Sequence, residues 1–207
     1  MAYYNQIFLD FDGVICDSNY LKKQNIQAAA SNYLPENEAT EFVKFFTANN
    51  GIPRERKIFR YFPNKALAQN ILNLYNNLNQ NLLDAPIIDG LPEFLRENNH
   101  IPKYILSGGD RSEIENYLIQ KSIREYFIDI LCGPKTKEEN LGLIDFIKPV
   151  LFIGDSVHDY EVSRKFDLDF IFLYGASQVV DANDIKFPGA LFIRNFLELN
   201  NYYNEED

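Results

Sequence analysis

Two pairs of carboxylates stand out for their spacing. Asp10 and Asp12 are separated by one residue and followed by Gly13, and Asp155 and Asp159 frame the phrase Gly154-Asp155-Ser156-Val157-His158-Asp159. Residues two apart on an extended chain project to the same side, so Asp10 and Asp12 would crowd one spot. Carboxylates gathered in one place repel each other unless a cation lies between them. An all-oxygen donor set with room for water suits Mg²⁺, which takes a few carboxylates and completes its octahedron with phosphate oxygens and water. Ser107-Gly108-Gly109 and Lys135 are the remaining groups that a phosphoryl group needs. The ammonium would face the non-bridging oxygens, while the hydroxyl and the backbone amides supply hydrogen bonds. A carboxylate in line with phosphorus can then attack it to form an acyl phosphate. The second carboxylate would protonate the leaving oxygen and later deprotonate water, a task favoured by a raised pKa.

These groups converge only if the fold brings them to one edge. Four short apolar runs precede them or follow in the same pattern: Ile7-Phe8-Leu9, Tyr104-Ile105-Leu106, Val150-Leu151-Phe152-Ile153 and Phe170-Ile171-Phe172-Leu173. Such runs, β-branched and aromatic without alternation, read as strands buried on both faces. Helical segments separate them. The helix over 110–121 is expected to start with Ser112 and Glu115 at capping-box spacing. Thr136 and Glu139 repeat that pattern ahead of Leu141, Ile144 and Ile147, and a further helix is expected over 157–166. Strand–helix alternation implies an α/β core, a parallel sheet covered on both sides, whose ligands sit beyond the carboxyl ends of the strands.

Residues 18–83 read as helical throughout, with segments over 20–34, 36–48, 54–61 and 65–82 punctuated by Pro35, Gly51, Pro53 and Pro63. A block of this length between the first two strands exceeds a simple crossover. The expected organisation is a core from 1–17 and 84–207 with an all-helical domain inserted over 18–83. The tail over 202–207 is expected to fray.

Twenty basic and thirty acidic residues give a net charge of −10 in a chain of 207 residues. That balance lacks the footprint of a nucleic-acid binder. No secretory signal and no membrane-length apolar run is readable, which points to a cytoplasmic protein. Cys16 and Cys132 fit a reducing compartment and read as small buried residues rather than nucleophiles. The chain carries no signal for its oligomeric state.

Phe8-Leu9-Asp10-Phe11-Asp12-Gly13-Val14 resembles the first motif of the haloacid dehalogenase-like hydrolases, and Phe152-Ile153-Gly154-Asp155-Ser156-Val157-His158-Asp159 resembles their fourth. Ile105-Leu106-Ser107-Gly108 looks like the second motif and Gly133-Pro134-Lys135-Thr136-Lys137-Glu138-Glu139-Asn140 like the third. The resemblance implies a Rossmann-like core with a helical cap, as in the phosphoglycolate phosphatase and β-phosphoglucomutase branch. It makes Asp10 the nucleophile and Asp12 the general acid/base. Asp10, the backbone carbonyl of Asp12 and Asp155 become Mg²⁺ ligands, with Asp159 a ligand or an orienting group, and Ser107, Gly108 and Lys135 hold the phosphoryl group.

A calcium-binding loop starting at Asp10 is excluded, because Gly13 comes too early and the twelfth position is Leu21. No phosphate-binding loop of the Gly-x-x-x-x-Gly-Lys-Ser/Thr type is present. In Gly51-Ile52-Pro53-Arg54-Glu55-Arg56-Lys57, the bland reading is a charged first helical turn. The functional reading sends Arg54, then Lys57, into the cleft to pair with an anionic part of the substrate. His158 is expected to be an exposed helix residue. The leading expectation is a Mg²⁺-dependent phosphatase of a small phosphorylated metabolite, a sugar phosphate for example. The alternatives are a phosphomutase, towards which Arg54 leans, and a non-catalytic binding protein of the same fold.

Overall fold

The structure, a computed structural model, describes residues 3–178 and 187–199. Residues 202–207 lie outside them. Six parallel strands form one sheet: β1 (Gln6–Leu9), β2 (Lys103–Leu106), β3 (Asp129–Leu131), β4 (Val150–Gly154), β5 (Asp169–Leu173) and β6 (Leu191–Ile193), in the order β3-β2-β1-β4-β5-β6. The chain winds outward from β1 on one side and then returns to build the other, so the strand order reverses between β1 and β4. A crevice at the carboxyl ends of those two strands is the place where such sheets bind ligands.

Alternation within each strand assigns its side chains to two layers. Ile7, Leu9, Ile105, Leu151 and Ile153 face one side with Phe94, Leu118 and Phe196. Phe8, Leu106, Phe152, Phe170 and Phe172 face the other with Leu141 and Val162. The flanking helices are α5 (Leu91–Glu97), α6 (Arg111–Gln120), α7 (Lys137–Leu141) and α8 (Val157–Lys165). Between β1 and β2 stand α1 (Asn19–Ser31), α2 (Glu36–Ala48), α3 (Arg54–Tyr61) and α4 (Lys65–Leu78). These four pack around their own apolar cluster, which includes Ile26, Phe42, Phe46, Ile58, Ile71 and Tyr75. No helix among the described residues is long and apolar enough to cross a membrane.

Several expectations need correction. The helix expected to reach Leu82 stops at Leu78 and tightens into a 3₁₀ turn over Asn79–Asp84. The cap of α6 is Asp110, whose side chain accepts from the amides of Ser112 and Glu113. Glu115 is instead paired with Arg124 at 2.7 Å. The Thr136/Glu139 capping box does form, but α7 ends after Leu141. Leu143 and Ile147 are 69% and 72% exposed, so no apolar helical face continues through them. Strands β3 and β6 and helix α5 were not anticipated.

Candidate active site

The register of the central strands decides what meets. Leu9 lies level with both Ile105 of β2 and Ile153 of β4, so Asp10, Ser107 and Asp155 leave the sheet side by side. Carboxylate oxygens of Asp10, Asp155 and Asp159 lie within 4.8 Å of one another, and all three residues are buried. Among the described residues, one ammonium reaches this cluster. Lys137, the first residue of α7, is fully buried, pairs with Asp10 at 3.0 Å and hydrogen-bonds to Asp159. The other Asp159 oxygen accepts from the Ser156 hydroxyl at 2.6 Å and from the Ser156 amide, which closes a capping box on α8. Both oxygens of Asp159 are therefore already engaged within the protein.

Three carboxylates against one lysine leave the cluster short of positive charge. Burial pushes the Asp10 carboxyl up to about 7; Lys137 opposes this, while Asp159 and Asp12 reinforce it. Asp155 is likewise raised well above the carboxylate range, by burial first and then by Asp10 and Asp159. A hard, oxygen-seeking dication would relieve that crowding, and the donors present fit one. Asn19 steadies Asp155 with a 2.6 Å hydrogen bond from its side-chain amide. Gly13 makes room for this contact. Its φ is +75°, and a Cβ there would fall 2.1 Å from Asp155 Oδ2 and 2.4 Å from Asn19 Nδ2. Only glycine fits that turn.

Asp12 lines the same cleft but is not one of the three clustered carboxylates. Lys22 reaches it at 2.5 Å and the Ser18 hydroxyl donates to it at 2.5 Å. Burial pushes this carboxyl up, but Lys22 and Ser18 outweigh it and hold it below the usual range. The raised pKa expected for Asp12 is absent in the free site because α1 supplies a cation that the sequence reading did not identify.

The Haloacid dehalogenase-like hydrolase family model matches residues 7–173, a span that contains every carboxylate of the site. The chain belongs to the haloacid dehalogenase-like hydrolases. No curated protein matches it by sequence. Among solved structures, a haloacid dehalogenase-like hydrolase from Streptococcus pneumoniae superposes with a TM-score of 0.73 at 17% identity, over 98% of this chain and 100% of that one. A predicted phosphoglycolate phosphatase from Haemophilus somnus gives 0.71 at 16% identity, over 98% and 99%. YfnB from Bacillus subtilis, a structure bound to magnesium, gives 0.69 at 17% identity, over 97% and 99%.

Around the carboxylates of this hydrolase, Ser107 is buried at the end of β2 and its Oγ accepts from the Gly109 amide at 3.0 Å. That amide is therefore turned towards the serine, not towards a phosphoryl group. Gly108 lines the cleft and lets the loop after α2 approach: a Cβ would come 2.5 Å from the Gly51 carbonyl oxygen. Lys135 is corrected by the structure. It is exposed, and the lysine that reaches Asp10 is Lys137, because the Thr136 cap turns the chain so that the first helical residue points inward.

The α1–α4 block forms the opposite wall of the cleft with Lys22, Phe46, Arg54, Lys57 and Tyr75, leaving a free volume of about 60 Å³. Arg54 does reach the cleft, but Glu113 of α6 takes its guanidinium by two hydrogen bonds and Asn76 by a third at 2.8 Å. Lys57 also lines it. His158 is not an exposed helix residue: its side chain is 19% exposed and packs against Gly51. Burial pushes the Cys16 and Cys132 thiols up to about 12 and about 11, so neither is a ready nucleophile. Sequence reasoning missed Lys137, Lys22 and Asn19. The last two share a helix face by their i, i+3 spacing, which was the available signal.

Proposed function

We propose that this hydrolase is a Mg²⁺-dependent phosphatase of a small phosphorylated metabolite, acting through an aspartyl phosphate on Asp10. The observation that carries this reading is the gathering of Asp10 and Asp155 at the ends of adjacent strands, with Lys137 bonded to Asp10. Mg²⁺ would be held by Asp10, Asp155 and the main-chain carbonyl of Asp12. When bound, it would neutralise the non-bridging oxygens of the phosphoryl group.

Asp10 attacks phosphorus with one oxygen as the bond to the leaving oxygen breaks. Asp12 gives that oxygen a proton, then takes one from the water that attacks the acyl phosphate and regenerates Asp10. Because Lys22 holds Asp12 below the usual carboxylate range in the free cleft, Asp12 must take up a proton from water before it can act as the acid. Ser107 and Gly108 border the phosphoryl position. Asp159 serves as the orienting group for Lys137. The helical block acts as the cap that excludes water and reads the leaving group. Its cleft is narrow, with a free volume of about 60 Å³, so opening of the cap would be the route by which a metabolite enters.

The phosphomutase alternative drew on Arg54, whose engagement by Glu113 and Asn76 removes that support. A panel of phosphate esters assayed with and without Mg²⁺ tests the reading. Phosphate release that stops with a chelator and is lost in Asp10→Asn is expected. Release that ignores both would overturn it.

A further inference from the structure

The cleft wall opposite the carboxylates carries three buried or half-buried cations, of which two are already matched. Lys22 is paired with Asp12, and Arg54 with Glu113. Lys57 has no carboxylate within ion-pair distance among the described residues. It is only 6% exposed, its ammonium donates to the Phe46 carbonyl at 3.2 Å, and it sits 3.6 Å from the centre of the Phe46 ring. Burying an ammonium on a carbonyl and an aromatic face alone is unfavourable unless something else supplies the charge. Lys57 lines the same small cavity as Asp10 and Ser107, so whatever matches it shares that cavity with the reacting group.

We infer that Lys57 is a specificity-determining residue that receives a second anionic group, carboxylate or phosphate, carried a few atoms from the phosphoryl group of a short phosphate monoester. This rests on the phosphatase reading above and departs from the sequence expectation that ranked Arg54 first. The Arg54 guanidinium is committed to holding α3 against α6, whereas Lys57, one turn further along the same helix face, is unmatched. Burial, with Lys22 adding repulsion, brings the Lys57 ammonium down to about 7. The charged groups facing it are Asp12 after β1, Lys22 on α1 and Arg54 on its own helix. An arriving anion would therefore draw a proton onto Lys57 above neutrality, and its advantage should shrink as pH rises.

The test compares kcat/KM for 3-phosphoglycerate, glycerol 1,3-bisphosphate and glycerol 3-phosphate, which differ in the group at one end, using the full chain with Mg²⁺. A charge-assisted hydrogen bond predicts a roughly 10–100-fold preference for an anionic compound over glycerol 3-phosphate at pH 6.5. Which anionic compound is preferred separates carboxylate from phosphate. Lys57→Met should collapse the preference. Lys57→Arg should keep it and make it independent of pH, since arginine does not titrate there. Lys44→Met, on an exposed lysine of α2, should leave it intact. A wild-type protein without the preference, or a preference that survives Lys57→Met, would overturn the inference. Binding of the same compounds to Asp10→Asn, followed by calorimetry, reads Lys57 without turnover. Failure of the phosphatase reading alone would leave the binding preference and its loss in Lys57→Met unchanged.

Discussion

Replacing Lys137 with methionine removes the ammonium bonded to both Asp10 and Asp159 while keeping most of the side chain's volume. The side chains of Lys137 and Asp159 are both fully buried, so bulk solvent does not screen their pair. Breaking a buried ion pair from one side costs about 3–5 kcal/mol. In a chain of this length each kcal/mol moves Tm by about 2–4 °C, so Lys137→Met should lower it by roughly 6–20 °C. The loss also depends on pH. With the lysine gone, Asp10, already raised to about 7, is pushed further up. The folded state then holds a proton that the unfolded chain releases near its ordinary pKa, so the penalty grows as pH rises through that interval. Thermal unfolding followed by circular dichroism at pH 5 and pH 8, without divalent metal, should show the larger deficit at pH 8. Lys135→Met, at an exposed position, should stay within about 0.5 kcal/mol of wild type at both. A Lys137→Met protein as stable as wild type at pH 8, or an equal loss in Lys135→Met, would refute the electrostatic reasoning for the whole cluster.

Three further outcomes follow from the same geometry. Gly13→Ala places a Cβ against Asp155 and Asn19 in a left-handed turn; it should destabilise by about 1–3 kcal/mol and weaken Mg²⁺ binding at least tenfold by calorimetry. Without metal, the raised carboxyl of Asp10 binds a proton that the unfolded chain has lost, so stability should fall as pH rises from about 4 to about 7. Mg²⁺ at a hundred times its Kd should restore about 2.7 kcal/mol at neutral pH, measured by denaturant unfolding. Lys57 works in the opposite direction. Its pKa is lowered to about 7 on folding, so the unfolded chain binds the extra proton between there and the ordinary lysine value, and its penalty eases as pH rises through that range. Lys57→Met should therefore stabilise the protein by on the order of 1–3 kcal/mol at pH 6.5, with the gain fading towards pH 10 in the same assay.

The parts of this fold that were legible in the sequence are those where a single local rule suffices. β1 and β4 are buried on both faces, so their residues form uninterrupted apolar runs ending on Asp10 and Gly154-Asp155. The three-residue edge strands β3 and β6 give no such run, and their pairing is set by neighbours distant in sequence. Lys135 and Lys137 flank the same N-cap, and only the backbone turn at Thr136 decides which one enters the core. Arg54 carried a readable charge but not a readable partner, since Glu113 lies 59 residues away on another element. Lys22 was legible only as one side of a helix whose facing surface was not yet known. Long-range pairing of charges is thus the part of the site that composition and periodicity leave open.

The most direct test is to quench the enzyme during turnover of a phosphate ester with Mg²⁺ and map the phosphoryl group by mass spectrometry. A single hydroxylamine-labile phosphoryl group on Asp10, absent from Asp10→Asn, is the expected result. Phosphate release in single turnover with Asp10 unmodified, or undiminished release by Asp10→Asn, would contradict the assignment of Asp10 as nucleophile.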